Sequence, residues 1–347
     1  MFTNQVKYKM AGSREESVNQ KLDSFLSMDC VSQKSIKNIS ADSSIAKPFL
    51  KWAGGKTQLI EEFNKRFPTG LMNGQINKYV ESFVGGGAVL FYILQNFKFD
   101  ECHIYDANEE LILVYCVVKN DVDSLIEELR LLESSYLDLD EDGRKEFFYD
   151  IRNKFNQSKS RIDFDNYGPH WIVRASQLIF LNRTCFNGLF RVNSKGEFNV
   201  PMGRYKNPTI LDKTNLKSAS IVLKDVNIHH GDFEKCESVV DERTFVYLDP
   251  PYRPISKTSS FTSYSKDAFD DESQRRLAEF YKKLHLKGAK LMLSNSDPKN
   301  ENPEDHFFEG IYSEFRIERV PAKRMINANG NGRGSINELI ITNYLGW

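Results

Sequence analysis

Cysteine is scarce and scattered. The five thiols, Cys30, Cys102, Cys116, Cys185 and Cys236, lie at least fourteen positions apart in 347 residues. There is no C-x-x-C pair and no Cys/His cluster, which argues against a zinc framework and predicts a reducing, cytoplasmic setting. The six histidines have no ligand spacing either: His103 sits in a strand-like run, and His229-His230 precede Gly231-Asp232. Packing or capping is the expected use of these rings, and no metal is expected. Charge of one sign is also missing. Forty-seven basic residues against 48 acidic ones give a net charge of −1, which excludes a uniformly cationic nucleic-acid coat but not a local basic face. No run approaches the roughly 18 apolar residues of a membrane span, and the N-terminus lacks the continuous apolar core of a signal peptide, so no membrane partner is expected. What is present, 40% hydrophobic and 27% charged residues, describes a globular enzyme-sized chain. A chain of this size buries about three-quarters of its unfolded surface and needs no disulfide or metal to hold together.

Residues 1–46 differ from the rest. Nine serines, six basic and five acidic residues occur there without sustained apolar periodicity, which predicts a disordered tail. From Lys47 onward short strand-like runs recur at 78–82, 102–105, 226–229, 244–248, 289–294, 315–320 and 338–343. Helix-like segments follow several of them, at 88–96 and 271–286. Strands alternating with helices predict an α/β fold with a mostly parallel sheet. The last two runs have no helix-length spacer and read as an antiparallel hairpin at the sheet edge. The rhythm breaks between the second and third runs, where 113–132 and 171–181 look helical and no parallel strand is expected. We therefore expect a catalytic domain made of 47–112 and 221–347, with residues 113–220 inserted. The segment 183–217 near the end of that insertion carries seven basic residues against two acidic ones.

Four motifs carry chemistry. In VESFVGGGAVL (80–90) a strand runs into Gly85-Gly86-Gly87 and then a helix, so backbone can approach a ligand closely. A dinucleotide fingerprint starting at Gly85 requires Gly or Ala at position 90, where Leu90 stands. A phosphate loop ending in Gly55-Lys56-Thr57 requires Gly at position 50, where Leu50 stands. Both fail, leaving a nucleoside ligand without a pyrophosphate. Asp106, 21 positions beyond Gly85, is placed to grip a ribose hydroxyl pair at the second strand's tip, or to cap the helix that follows. The segment Pro48-Phe49-Leu50-Lys51-Trp52-Ala53-Gly54-Gly55-Lys56 brings basic and aromatic groups around a glycine pair.

The fourth motif decides the reading. Asp249-Pro250-Pro251-Tyr252 directly follows the apolar run TFVYL. Two prolines cannot continue a ladder, so the chain leaves the sheet on a rigid path. A carboxylate, a carbonyl freed from pairing and an aromatic ring are thereby gathered at the sheet's carboxyl edge, where open α/β sheets bind ligands. Two acceptors suit a planar amino group with two hydrogens to give, and the ring offers a face to a purine.

These residues together resemble a known family, the DNA adenine-N6 methyltransferases of the Dam and DpnII kind. PFLKWAGGKTQL, ESFVGGGAVL, IYDANEEL and LDPPY are similar to its motifs and occur in its order. NRTCFNGLFRVNSKGEFNVPMGRYKNP (182–208) is similar to its target-recognition segment, and FTSYS and INELIITNY to further signatures. The resemblance implies a Rossmann-like S-adenosylmethionine-dependent methyltransferase sheet with an inserted, mainly helical DNA-recognition domain. It implies S-adenosylmethionine as cofactor, with Trp52, Lys56, Asp106 and Asp249 in contact with it. Phe83 and the glycines, Gly85 among them, would lie beside its methionine portion, and Asp232 near its adenine ring. Lys56 would meet the cofactor's carboxylate or pin another acid.

The resemblance further implies double-stranded DNA as partner, GATC as target and extrusion of the target adenine. Asp249, Pro250, Pro251 and Tyr252 would be catalytic, with Tyr252 stacking on the extruded base. Lys51 would touch the recognition site, joined by Arg191, Asn199, Arg204, Tyr205 and Lys206 from the basic segment, with Phe198 as an intercalating candidate. Residues 256–265 are expected to act as a lid. A cognate restriction endonuclease stays open as a partner. RNA guanine and DNA cytosine-N4 methyltransferases share the acid–proline–proline–aromatic corner, and a non-catalytic DNA-binding module is a third alternative.

Overall fold

A computed structural model describes residues 44–253, 269–323 and 335–346. The expected tail, apart from its last three residues, lies outside them, as do the expected lid at 256–265 and most of the glycine-rich stretch after Lys323. The packed chain has begun by Ala46, which is buried and exchanges two backbone hydrogen bonds with the Gln95 side chain, at 2.8 and 3.0 Å.

All seven expected runs are strands: β1 (Lys78–Glu81), β2 (Glu101–Asp106), β3 (Val226–His230), β4 (Thr244–Leu248), β5 (Lys290–Ser296), β6 (Arg316–Lys323) and β7 (Ser335–Thr342). They form one sheet in the order β3-β2-β1-β4-β5-β7-β6. The first five are parallel, and β7 runs antiparallel to both β5 and β6, the expected edge hairpin. The strands are legible because both faces are covered. Tyr79, Phe245 and Tyr247 point into one apolar core, while the alternating Val80, Val246 and Leu248 point into the other, the period of two that a pleated strand imposes.

The helices are α1 (Ile60–Asn64), α2 (Ala88–Asn96), α3 (Glu109–Asn120), α4 (Val122–Leu137), α5 (Glu141–Ser158), α6 (Pro169–Thr184), α7 (Lys213–Leu223), α8 (Asp271–Leu286) and α9 (Phe307–Ile311). Five of them, α3 to α7, fall between β2 and β3. The expected single helix across 113–132 is interrupted at Asp121, which ends α3 and precedes α4. Side chains of this helical block, among them Leu129, Phe148 and Phe180, belong to the same continuous core as one face of the sheet. Among the described residues no helix is long and apolar enough to cross a membrane. The strand order reverses across β1, between β2 and β4. Ligands of open α/β sheets bind outside the strand ends at such a reversal.

Candidate active site

A cleft of about 940 Å³ opens there, lined by Trp52, the glycine loop, Asp106, Asp232, Asp249 and Tyr252 among others. It brings together every residue expected at the catalytic corner and every residue expected at the cofactor. Pocket volumes for small ligands run from about 300 to 1,000 Å³, so the cleft has room for a large one.

The corner after β4 is built around a buried ion pair. Lys56, only 4% exposed, places its Nζ 2.7 Å from Asp249 Oδ1 and donates to the Gly54 carbonyl at 2.8 Å. The pairing with another acid is one of the two roles expected of this lysine. Ser294 on β5 donates to the same Asp249 oxygen at 3.0 Å, and the Tyr247 hydroxyl lies 2.8 Å from Ser294 Oγ. Asp249 Oδ1 is thus committed, while among the described residues Oδ2 accepts no hydrogen bond. Burial pushes the Asp249 carboxyl upward, outweighing the Lys56 ammonium and the Ser294 hydroxyl. One residue on, no donor among the described residues reaches the Pro250 carbonyl. The Pro251 carbonyl, by contrast, accepts from Gln274 Nε2 of α8 at 3.1 Å, which braces the turn. Tyr252, 38% exposed, lies with its ring 4.7 Å from the Lys56 ammonium and its hydroxyl against Glu338 of β7, at 2.8 and 2.9 Å. Ser294 and Gln274 carry no sequence signal of their own, and Glu338 only that of the INELIITNY run; the strand order brings all three to the corner.

The glycine loop is shaped by what surrounds it. Gly85 and Gly87 have φ of +48° and +74°, and a Cβ on Gly87 would come within 2.4 Å of the Tyr115 hydroxyl, which donates to the Gly85 carbonyl. A Cβ on Gly85 would lie 3.0 Å from the Trp52 ring, and that ring stacks on Phe190 with centroids 5.5 Å apart. Asp106 does not cap α3; Asn108 does, accepting from the Leu111 N–H at 3.1 Å. Asp106 instead binds the loop, accepting from the Gly85 N–H at 3.0 Å and the Asn108 N–H at 2.9 Å. Burial raises its carboxyl, against those two donors.

Asp232 accepts from Arg276 Nη2 of α8 at 2.6 Å, and that guanidinium lies over Phe233. Phe83, Phe233 and Phe269 form an aromatic trio on the same wall. Sequence reasoning missed Glu81, a cleft residue 2% exposed. It accepts from the Tyr79 hydroxyl at 2.7 Å. Burial first, with help from Asp249 and Asp106, lifts its carboxyl well above the ordinary range despite that hydrogen bond. The V-E-S-F run pointed only to the glycines behind it.

The expected DNA residues fall into two groups. Arg191 and Asn199 face each other across a short antiparallel loop, with Arg191 Nε donating to Asn199 Oδ1 at 2.8 Å and a bridge between Val192 and Phe198. Lys51, from the N-terminal part of the chain, meets Tyr205 of the same basic segment, next to Arg204 in sequence. Lys51 Nζ lies 4.7 Å from the Tyr205 ring, and its backbone is clamped by Asn182 through bonds of 2.8 and 2.9 Å. Arg204 and Lys206 are exposed. One reading of this segment is corrected. Phe198 is 1% exposed and packs against Phe155 and Phe190, so it is a core residue and not an intercalating one. Arg183 donates to the Phe49 carbonyl at 2.8 Å and ties α6 to the segment before Lys51. The exposed aromatic is instead Phe186, 53% exposed, beside Asn187, whose φ of 55° makes it the one described non-glycine residue with positive φ. The F-N-G turn was its available signal. On β6, Arg316 is paired with Glu318, and Arg319 with Asp297 and Glu309. The histidines pack as expected, His103 against His229 and His229 against Tyr105. No group of three or more metal-ligating side chains occurs among the described residues.

Comparison with known proteins extends over most of the chain. The type II methyltransferase M.MjaIII of Methanocaldococcus jannaschii is 56% identical over 299 residues, covering 86% of this chain and 99% of that protein. The type II methyltransferase M1.LlaDCHI of Lactococcus lactis subsp. cremoris is 39% identical over 300 residues, 86% and 95% of the two chains. A DNA adenine methylase of Haemophilus influenzae is 33% identical over 295 residues, 85% and 92%. Residues 52–326 match the family described as D12 class N6 adenine-specific DNA methyltransferase. That span takes in the lysine–aspartate corner, the glycine loop and the helical block alike, and the chain belongs to this family of adenine-specific DNA methyltransferases.

Proposed function

We propose that the protein transfers a methyl group from S-adenosylmethionine to the N6 amino group of an adenine turned out of double-stranded DNA, within the sequence GATC. One observation carries the proposal: a carboxylate oxygen of Asp249 and the Pro250 carbonyl, to which no described residue donates, stand next to the half-exposed Tyr252 in one cleft. That is a receptor for a flat base bearing an NH2 group, which donates two hydrogens and needs two acceptors. A base still paired in a duplex cannot enter such a corner, so extrusion is required, at a cost of a few kcal/mol. Membership of an adenine-specific family disfavours the RNA guanine, cytosine-N4 and non-catalytic readings.

The cleft fits the donor. Its walls are aromatic, and three carboxyl groups, Glu81, Asp106 and Asp249, face a ligand that is cationic. Asp106 would hold the ribose, Asp232 would lie near the adenine, and Phe83 and Gly85 would lie beside the methionine portion with Trp52 and Lys56. When bound, the donor supplies an electrophilic methyl group. Asp249 Oδ2 and the Pro250 carbonyl accept the two amino hydrogens and turn the nitrogen lone pair toward that methyl. Tyr252 holds the base plane. Positioning of this kind supplies about 7–11 kcal/mol of barrier lowering, so Asp249 need not be a strong base beforehand. The amino proton becomes acidic as nitrogen gains positive charge, and Asp249 is placed to take it.

On the DNA side we assign residues 113–220 as the recognition domain, with Arg191, Asn199, Lys51, Arg204, Tyr205 and Lys206 at the duplex. Mobile lysines and arginines mostly meet phosphates, but Arg191 is held by Asn199 and is suited to read a base. Arg191→Ala is expected to reduce the preference for the cognate site over a one-base-altered site by about 10–100-fold, the worth of one bidentate arginine–guanine pair. Undiminished discrimination in competitive methylation would remove Arg191 from that role. The GATC assignment rests on the likeness of residues 182–208 to Dam and DpnII enzymes. Plasmid free of adenine methylation, treated with the protein and the donor, should become resistant to a nuclease blocked by methylated GATC and sensitive to one requiring it. Methyl transfer into adenine outside GATC would refute the target alone, and no transfer into adenine would refute the function.

A further inference from the structure

Glu338 has no part in the transfer just described, yet it touches the ring on which that transfer depends. We propose that Glu338 is a positioning residue that holds the Tyr252 ring in its base-stacking orientation, an inference that rests on the reading of Tyr252 given above. The carboxylate is fixed as firmly as a side chain can be. Its strand β7 is flanked on both sides, with Ser296 of β5 and Val320 of β6 opposite Glu338, and the residue is only 5% exposed. Tyr252 is the opposite case. It leaves the sheet after two prolines and is 38% exposed, so little packing restrains its torsions. Its hydroxyl lies 2.8 and 2.9 Å from the two Glu338 oxygens, and a hydrogen bond to an ionised acceptor is roughly twice as strong as a neutral one. The immobile carboxylate therefore supplies the orientation that packing does not.

The charged groups facing Glu338 are Lys56 and Asp249, with the Tyr252 hydroxyl as third neighbour. Burial dominates, and with Asp249 it pushes the carboxyl up to about 7, against Lys56 and the tyrosine. The anchor thus changes charge across neutral pH. Above about 7 it is the ionised acceptor; below, protonation weakens its hold on the ring, so turnover falls as pH falls. A buried carboxyl with so raised a value is costly to keep in a strand, and such groups concentrate at functional sites.

The test uses the full-length protein, tritiated S-adenosylmethionine and a duplex carrying one GATC, read as single-turnover rate against pH. Glu338→Ala is expected to slow transfer about tenfold, the worth of one buried hydrogen bond to a charged group, with donor affinity by equilibrium dialysis within about twofold. Glu338→Gln keeps only a neutral acceptor, so it should run near the wild type's low-pH rate at every pH, above the alanine variant, and lose the rise near pH 7. In a Tyr252→Phe background Glu338→Ala should add less than about twofold, because the two residues act through one contact. A tenfold loss in that background as well, or a Gln variant with the wild-type pH profile, would overturn the proposal. If the alanine variant does not fold, the glutamine profile decides alone. Wild-type protein that never methylates adenine would sink the proposed function instead, before any variant is compared.

Discussion

Asp249→Ala is expected to lower the single-turnover rate of adenine methylation by about 10²–10³-fold, the scale seen when a preorganised electrostatic contact to the reacting centre is removed. Duplex binding should stay within about tenfold, because phosphate contacts from a separate segment dominate affinity. One Asp249 oxygen is held by Lys56 and Ser294, which leaves the other as the only acceptor the side chain can offer the base. The substitution has a second consequence. Lys56 is 4% exposed, and removing its counter-charge leaves a buried ammonium, a change that costs about 3–5 kcal/mol where it has been measured. The alanine variant should therefore also melt earlier. Asp249→Asn separates the two effects, since it keeps the volume and one carbonyl acceptor for Lys56 but turns an NH2 group toward an NH2 group. It is expected to remain folded and still lose at least about 10²-fold in rate. Methylation by Asp249→Ala within tenfold of wild type, in protein that binds the duplex, would dissolve the assigned role.

The sheet was readable in the sequence because its central strands are buried on both faces and its strands are bounded by turn residues. Runs such as TFVYL, buried at all five positions, have few other interpretations. The helical block was harder. The helix α5 (Glu141–Ser158) was missed because its composition is polar and its buried face consists of Phe148, Ile151 and Phe155 alone. The acids at its start serve the helix itself. Asp140 caps the helix by accepting from the Gly143 N–H, and Glu141 and Asp142 fill its first turn, where negative charge meets the positive end of the helix dipole. Phe198 was misplaced because an aromatic between Glu197 and Asn199 looks exposed in a list of letters. Only the packing of its loop on α5 shows that it is core. The catalytic corner was readable since its four residues are contiguous and two are prolines. The place of its supports was not: Gln274, Ser294 and Glu338, the last within the INELIITNY run, lie 25 to 89 positions beyond Asp249 in the chain, and sheet order, not spacing, delivers them.

Arg174→Ala is expected to destabilise the protein by about 3–5 kcal/mol, the largest stability effect of any single change outside the active corner. Arg174 is 2% exposed and Glu110 4%. The guanidinium grips Glu110 through two nitrogens, Nε at 2.6 Å and Nη2. It also donates to the Phe155 carbonyl and the Ser158 hydroxyl at 2.9 and 3.0 Å and lies over the Phe155 ring at 4.0 Å. One side chain on α6 thereby ties the first turn of α3 to the end of α5. Truncating it leaves the Glu110 carboxylate buried without a partner, and that unpaired charge, more than the lost attraction, sets the cost. The distinction is testable. Glu110→Leu combined with Arg174→Met removes both charges at similar volume and should recover most of the loss, because apolar replacement of a buried pair is commonly neutral or better. For a chain of this length the single variant should melt lower by something on the order of 10 °C. A melting temperature within about 2 °C of wild type would refute the argument. The pair also reaches function: Glu110 lines the cleft two residues after the α3 cap. A double variant that restores stability but still binds the methyl donor less tightly would separate the structural task of this ion pair from its part in shaping the cleft rim.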